Sequence, residues 1–302
     1  MALPTSLVSP ALSKRRKTMS DPVPAVTEAS ATGHIADIFT DIRHVYHVGV
    51  VNLIWRHLAT FPGALPWVWE SVRPLYVDGT IEREAAALRA SIALPDLPGF
   101  PAAAFAAAGL SERDIEQIRV VLAAYDRTNA MALIALSAVD CKIAGTQGEA
   151  DCAFAGRIEV PASLQAELKL PPLLNLAEMS PEAAKLVVTM NRLGAQRDDS
   201  ILASMYRHLA HWPPYLALAW TMMAPLDADS RLDDAISDTL AKARESGRRV
   251  VRRLPTPSLT IANAVRAEIS RALDRFTSDV IAKMVVIGAL LRRATGAKSD
   301  GE

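Results

Sequence analysis

The residues of this chain best suited to chemistry are polar side chains set among apolar helical neighbours. Asn52 sits within Val50, Val51, Leu53, Ile54 and Trp55, Asn129 within the stretch from Tyr125 to Leu136, and Ser204 between Ile201 and Met205. A buried amide or hydroxyl needs partners, so each is either paired inside the fold or aimed into a cavity. The histidines invite a metal reading. His44 and His47 are three apart, as are His208 and His211, a spacing that puts two side chains on one helix face. Asp41 lies three before His44, and no acid stands so before His208. Neither pair reaches the three or four ligands of a zinc site, so no metal is expected. No nucleophile elbow, phosphate-binding loop, dinucleotide fingerprint or zinc-protease motif occurs.

Helices must position these groups. Ile35, Ile38, Phe39 and Ile42 fall at helical spacings. Ile115, Ile118, Val121, Leu122 and Tyr125 form one stripe of a long helix over residues 114–137, and Ser111 with Asp114 forms a capping-box pattern before it. Residues 265–293 read as a second long helix, with Gly296 as its stop signal. Pro95, Pro98, Gly99 and Pro101 mark a connection.

The chain repeats itself. Arg56-His57-Leu58-Ala59-Thr60-Phe61-Pro62 recurs as Arg207-His208-Leu209-Ala210-His211-Trp212-Pro213. At the same offset Leu65 meets Leu216, Trp69 meets Trp220, and Pro74-Leu75 meets Pro225-Leu226. Nine of the 20 positions from Arg56 to Leu75 are identical, where chance gives about one. The expected architecture is all-α: two related helical repeats packed with pseudo-two-fold symmetry, with a pocket at the seam. The expected organisation is a mobile leader over residues 1–27, a first repeat over 33–140, a proline-containing linker over 141–180, a second repeat over 181–293 and a tail over 294–302. His57 and His208 hold equivalent places, which suggests a scaffold role. The tryptophans, most of them facing an aromatic residue at the equivalent place, read as core.

Composition narrows the function classes. Lys plus Arg number 33 and Asp plus Glu number 33, so no net field favours nucleic acid or an anionic membrane. Two cysteines, Cys141 and Cys152, provide neither a disulfide framework nor a zinc site. The basic run from Lys14 to Lys17 is not followed by an apolar stretch, so it is no secretory signal, and the apolar runs near 130–139 and 284–291 are too short to cross a bilayer. A cytoplasmic protein is expected.

Several segments resemble the group I 2-haloacid dehalogenases: Thr27-Glu28-Ala29-Ser30-Ala31-Thr32-Gly33, Asp41-Ile42-Arg43, Arg56 to Gly63, Leu209-Ala210-His211-Trp212-Pro213, and Arg275-Phe276 with Asp279. The resemblance runs from Thr27 to Arg293. It implies a cofactor-independent hydrolase in which water displaces halide from C2 of a small 2-haloalkanoic acid with inversion, giving a 2-hydroxy acid without an ester intermediate. In that scheme a buried carboxylate takes the proton of the attacking water. By position the assisting Asn is Asn129, the Ser beside the acid is Ser204, and Ala203 bears on stereochemical preference. The implied pocket adds Val50, Asn52, Leu53, Leu273 and Thr277. The family's Asp falls on Met205, whose thioether cannot accept a proton at neutral pH. Asp198, seven residues earlier and ~10 Å up the same face of a continuous helix, and Asp199 are the alternative bases. The implied partner is a small 2-substituted carboxylic acid, with no nucleic acid and no membrane, and a homodimer is compatible. The alternative function is a catalytically weak or silent homologue that binds small carboxylic acids.

Overall fold

A computed structural model describes residues 23–146, 148, 170–195 and 197–296. The described chain is helical, without an extended strand. The first half contains α1 (Gly33–Tyr46), α2 (Leu53–Leu58), α3 (Ala64–Val77), α4 (Thr80–Ser91), α5 (Ala102–Ala107) and α6 (Glu112–Ile143). The second contains α7 (Pro181–Arg192), α8 (Ser204–Leu209), α9 (Pro213–Ala228), α10 (Arg231–Val250), α11 (Asn263–Arg275), a π-helical segment (Phe276–Ile281) and α12 (Ala282–Ala294). Short helices α2 and α8 begin 151 residues apart, and α6 begins 151 residues before α11.

Local chemistry explains where the helices start. The Ser111 hydroxyl accepts from the Asp114 backbone N–H at 3.2 Å, and the Asp114 carboxylate accepts from the Ser111 N–H at 2.9 Å, so α6 opens on the expected capping box. Ser180 caps α7 ahead of Pro181, which fits the first helical position because it has no N–H to leave unbonded. At the end of α1, His47 adopts a left-handed conformation (φ 55°), so the chain leaves the helix there and His44 and His47 do not share a helix face.

Helix α6 runs through the middle, packing against α4, α10 and α12. From Ala124 to Val139 every residue is buried, as in a helix packed on all sides. The few charges it carries there are paired. Arg127 bonds Glu82 at 2.8 Å and the Tyr46 carbonyl at 2.7 Å, and Asp126 accepts from Arg292 at 2.7 Å. Helix α10 lies tight against α6 at Gly247, where an added Cβ would lie 2.8 Å from the Ser137 backbone carbon.

Two boundaries move. Val23 is buried and the Val26 N–H donates to the Arg56 carbonyl at 3.0 Å, so packing begins inside the stretch expected as leader; residues 1–22 lie outside the described residues. Helix α6 continues through Ile143 into the expected linker, of which 149–169, with Cys152, lie outside the described residues. Aromatic packing also differs between the halves. Tyr46, Trp55, Trp69 and Tyr76 form one cluster with centroids 4.9 to 6.5 Å apart. Trp220, facing Trp69 in the repeat, is 37% exposed, so it is not core.

Candidate active site

The two segments that precede α2 and α8 face the middle of α6, and a cavity of about 280 Å³ lies between them. Val50, Asn52, Leu53 and Ile54 line one side and Ile201, Ala203, Ser204 and Met205 the other. Helix α6 contributes Ala124, Tyr125, Thr128 and Asn129, and the π-helical segment contributes Phe276, Val280 and Ile281. A π-helical turn inside a long helix is uncommon, and such turns concentrate at functional sites. Arg56 and Arg207, which open the two matching Arg-His-Leu-Ala segments, both reach this cavity.

A ring of buried polar groups fixes the second wall. The Asn191 amide donates to the Ile201 carbonyl at 3.2 Å and accepts from the Ala203 N–H at 3.0 Å. Asp279 accepts from the Ile201 N–H at 2.9 Å. Lys283 donates to the Asn191 carbonyl at 2.8 Å and to Ser200 at 3.0 Å, with its pKa pushed down to about 8, chiefly by burial. Residues 200–203 are thereby held at three successive points before Ser204 opens α8. The first wall is tied by Glu28, which accepts from the Val51 N–H at 2.9 Å and from Arg43 at 2.5 Å. Arg207 donates to the Leu174 carbonyl at 2.7 Å and to the Asn175 side chain at 2.8 Å, holding the incoming 170s segment over the cavity.

Of the residues singled out in sequence, Val50, Asn52, Leu53, Asn129, Ala203, Ser204 and Met205 meet at this cavity. The Asn129 amide nitrogen is buried without a protein partner, leaving a donor for a bound molecule. Met205 is 1% exposed, and Gly288 on α12 leaves room for it, an added Cβ there meeting its sulfur at 3.7 Å.

Four expected residues do not line the cavity. Leu273 is buried in the core on α11, one turn before the π-helical segment, and the Thr277 hydroxyl turns back to the Asp274 carbonyl at 3.4 Å. Asp198 is exposed and borders a separate groove. Asp199 is exposed beside Arg197 and Arg275, each at 3.2 Å, and the Arg197 hydrogen bond lowers its pKa. The described residues between α7 and α8 are not helical, so the continuous helix that would bring Asp198 onto the face of Met205 does not arise.

Sequence reasoning passed over two residues that do line it. Tyr125 reads as part of an apolar stripe and His208 as scaffold, yet their Oη and Nδ1 atoms lie 2.7 Å apart on the cavity wall. Burial, reinforced by the charges of His211 and Arg207, pushes the His208 pKa down to about 4, and the nearby Pro171 carbonyl opposes this. The ring is therefore neutral at pH 7. Burial raises the Tyr125 pKa, while Arg207 and Arg56 pull it the other way. Glu28 is the single carboxylate among the described lining residues. His211 bonds the Pro172 carbonyl at 2.8 Å and not a shared ligand. No group of three His, Cys, Asp or Glu among the described residues is placed to hold a metal, and no described helix is long and apolar enough to cross a membrane.

Comparison with known proteins gives this architecture a context. No family model matches the chain. It is similar to a configuration-inverting 2-haloacid dehalogenase of Alcaligenes xylosoxydans xylosoxydans, 26% identical over 241 residues and covering 77% of each chain. A second configuration-inverting 2-haloacid dehalogenase, from Pseudomonas sp. (strain 113), is 29% identical over 203 residues, covering 65% of each chain. Among solved structures, a D-2-haloacid dehalogenase in complex with L-LA superposes with a TM-score of 0.74 at 19% identity, covering 90% of this chain and 96% of that one. A mutant D-2-haloacid dehalogenase with D-2-CPA gives a TM-score of 0.69 at the same identity and coverage. The chain has the all-α fold of these dehalogenases and resembles them in sequence.

Proposed function

We propose that this chain is a hydrolase of the 2-haloacid dehalogenase type: water displaces halide from C2 of a small 2-haloalkanoic acid with inversion, giving a 2-hydroxy acid. The carrying observation is the convergence of Asn129, Ser204 and the walls of both halves on one cavity, in a chain similar along most of its length to configuration-inverting dehalogenases. The volume, about 280 Å³, suits a three- or four-carbon acid rather than a drug-sized ligand. In this reading Val50, Leu53 and Ala203 receive the alkyl group and halogen, Asn52 and Ser204 offer polar contacts, and the Asn129 amide orients the attacking water. Holding water in line behind C2 removes much of the entropic barrier. The reaction uses no metal or cofactor. Met205 cannot accept a proton, so turnover is slow; loss of a general base typically lowers a rate about 10²–10⁴-fold. All the residues named come from one chain, so no second copy is required. The protein works in the cytoplasm, a setting supported by its low cysteine content.

Halide release from 2-chloropropionate or 2-bromopropionate by purified protein tests this directly. Release above background supports the proposal, and none from either enantiomer over a broad pH range removes it. Met205 itself favours a second reading, a protein that binds small 2-substituted acids without turning them over. Thermal stabilisation by such acids without halide release would select that reading, since a ligand that binds only the folded state stabilises it.

A further inference from the structure

We propose that Tyr125 and His208 act together as the proton acceptor of this cavity, filling the place that Met205 cannot. This rests on the hydrolase reading above. The two residues come from opposite halves of the chain, 83 residues apart, and meet at 2.7 Å on the cavity wall.

The alternatives on the lining are few. Both oxygens of Glu28 are engaged, one by Arg43 and one by the Val51 N–H. The Asn129 amide nitrogen only donates. The Thr128 hydroxyl is tied to the Ala124 carbonyl at 2.8 Å. The remaining described acceptor with basic nitrogen behind it is the tyrosine–histidine pair, and Ser204 lines the same cavity. The relay needs the tautomer that carries its proton on Nε2, which leaves Nδ1 to accept from the Tyr125 hydroxyl 2.7 Å away.

The step balances. Water held by Asn129 attacks C2; the C2–O bond forms as the C2–halogen bond breaks and its electron pair leaves with the halide. The water proton moves to Tyr125 Oη while the phenolic proton moves to His208 Nδ1. The imidazolium then returns its proton through Tyr125 to water entering the cavity once the product has left. Burial keeps the Tyr125 phenol neutral, so the two proton transfers run together, and the charges of Arg207 and Arg56 only partly offset that burial. Arg207 and His211 both face His208 and oppose its protonation, which keeps the acceptor weak and restores it quickly. An imidazole with a folded-state pKa of about 4 has the basicity of an ordinary carboxylate and is fully unprotonated at neutral pH. Tyr125 is thus the catalytic group, and His208 works through it.

The test compares wild type, Tyr125→Phe and His208→Gln in the full-length chain, using halide release from racemic 2-bromopropionate, with kcat and KM resolved across pH and thermal melting recorded for each protein. A glutamine side chain in place of His208 can accept a hydrogen bond from Tyr125 but cannot take its proton. The expected result is a wild-type acid limb near pH 4, lost in both variants together with about 10²-fold in kcat, with KM changed little. If one variant melts far below wild type, the other carries the comparison. Variants that keep more than half the wild-type kcat with an unchanged pH profile overturn the relay and leave the hydrolase reading standing. Wild type that is stabilised by 2-chloropropionate yet releases no halide overturns both.

Discussion

The Tyr125 hydroxyl lies 2.7 Å from His208 Nδ1, joining the middle of α6 to α8 across the cavity wall. Neither residue has another basic or acidic partner at this distance among the described hydrogen bonds, and both are buried. The contact therefore does two things. It satisfies a phenol that burial would otherwise strand, and it sets a neutral imidazole behind the wall of a cavity that Met205 also lines.

Stability should carry the imprint of His208. Its pKa is lowered from 6.5 to about 4 in the folded chain. Between those values the unfolded chain binds a proton that the folded chain does not, so stability rises with pH through this window and the contribution is flat above it. The full span is about 3 kcal/mol as an order of magnitude. Denaturation midpoints measured across the window should climb in wild type and climb less steeply in His208→Gln; parallel slopes would contradict the burial of a neutral ring.

Asn191→Ala should loosen the second wall. The substitution leaves the Ile201 carbonyl and the Ala203 N–H without their side-chain partner, at a cost of about 1–3 kcal/mol for each group that water cannot reach. Lower thermal melting together with weaker stabilisation by 2-chloropropionate is expected. A drop in melting with unchanged ligand response would mean that the wall's position does not matter to binding.

Gly247→Ala tests the packing of α10 on α6. The added methyl would sit within 3 Å of the backbone at Ser137 and Ala138, which cannot swing away as a side-chain tip does. Overpacking of this kind typically costs about 1–3 kcal/mol, against the small gain an alanine brings to an exposed helix. The check is a thermal melt, and an unchanged or higher melting temperature would refute the close approach.

Much of this was legible in the sequence, for physical reasons. The α6 stripe from Ile115 to Tyr125 and the Ser111–Asp114 box are local signals, and both appear in the fold. The all-α class follows from the same periodicity. Residues 200–203 carry no such signal: their backbone is fixed by Asn191, Asp279 and Lys283, which are distant in sequence. That is why Asp198 and Asp199 looked eligible as bases and are turned outward. Tyr125 and His208 were hidden differently, since a tyrosine on an apolar stripe and a histidine in a repeated motif look structural until their atoms are seen to meet. Leu273 and Thr277 miss the cavity because the π-helical segment begins at Phe276 and gives the lining positions to Phe276, Val280 and Ile281.

Met205→Asp supplies a carboxylate where the cavity has a thioether. Met205 is buried on the cavity wall, so the shorter acid has space on a lining that it shares with Asn129. Halide release should rise about 10²-fold or more, because a placed general base is worth that much. No increase in a folded variant would mean that position 205 does not address the attacking water.

The most direct measurement is halide release by the unmodified chain from separated enantiomers of 2-bromopropionate, with the configuration of the product acid determined. The account predicts slow release above background, with the 2-hydroxy acid inverted at C2. A folded protein that releases no halide from either enantiomer, or that gives product of retained configuration, would contradict it.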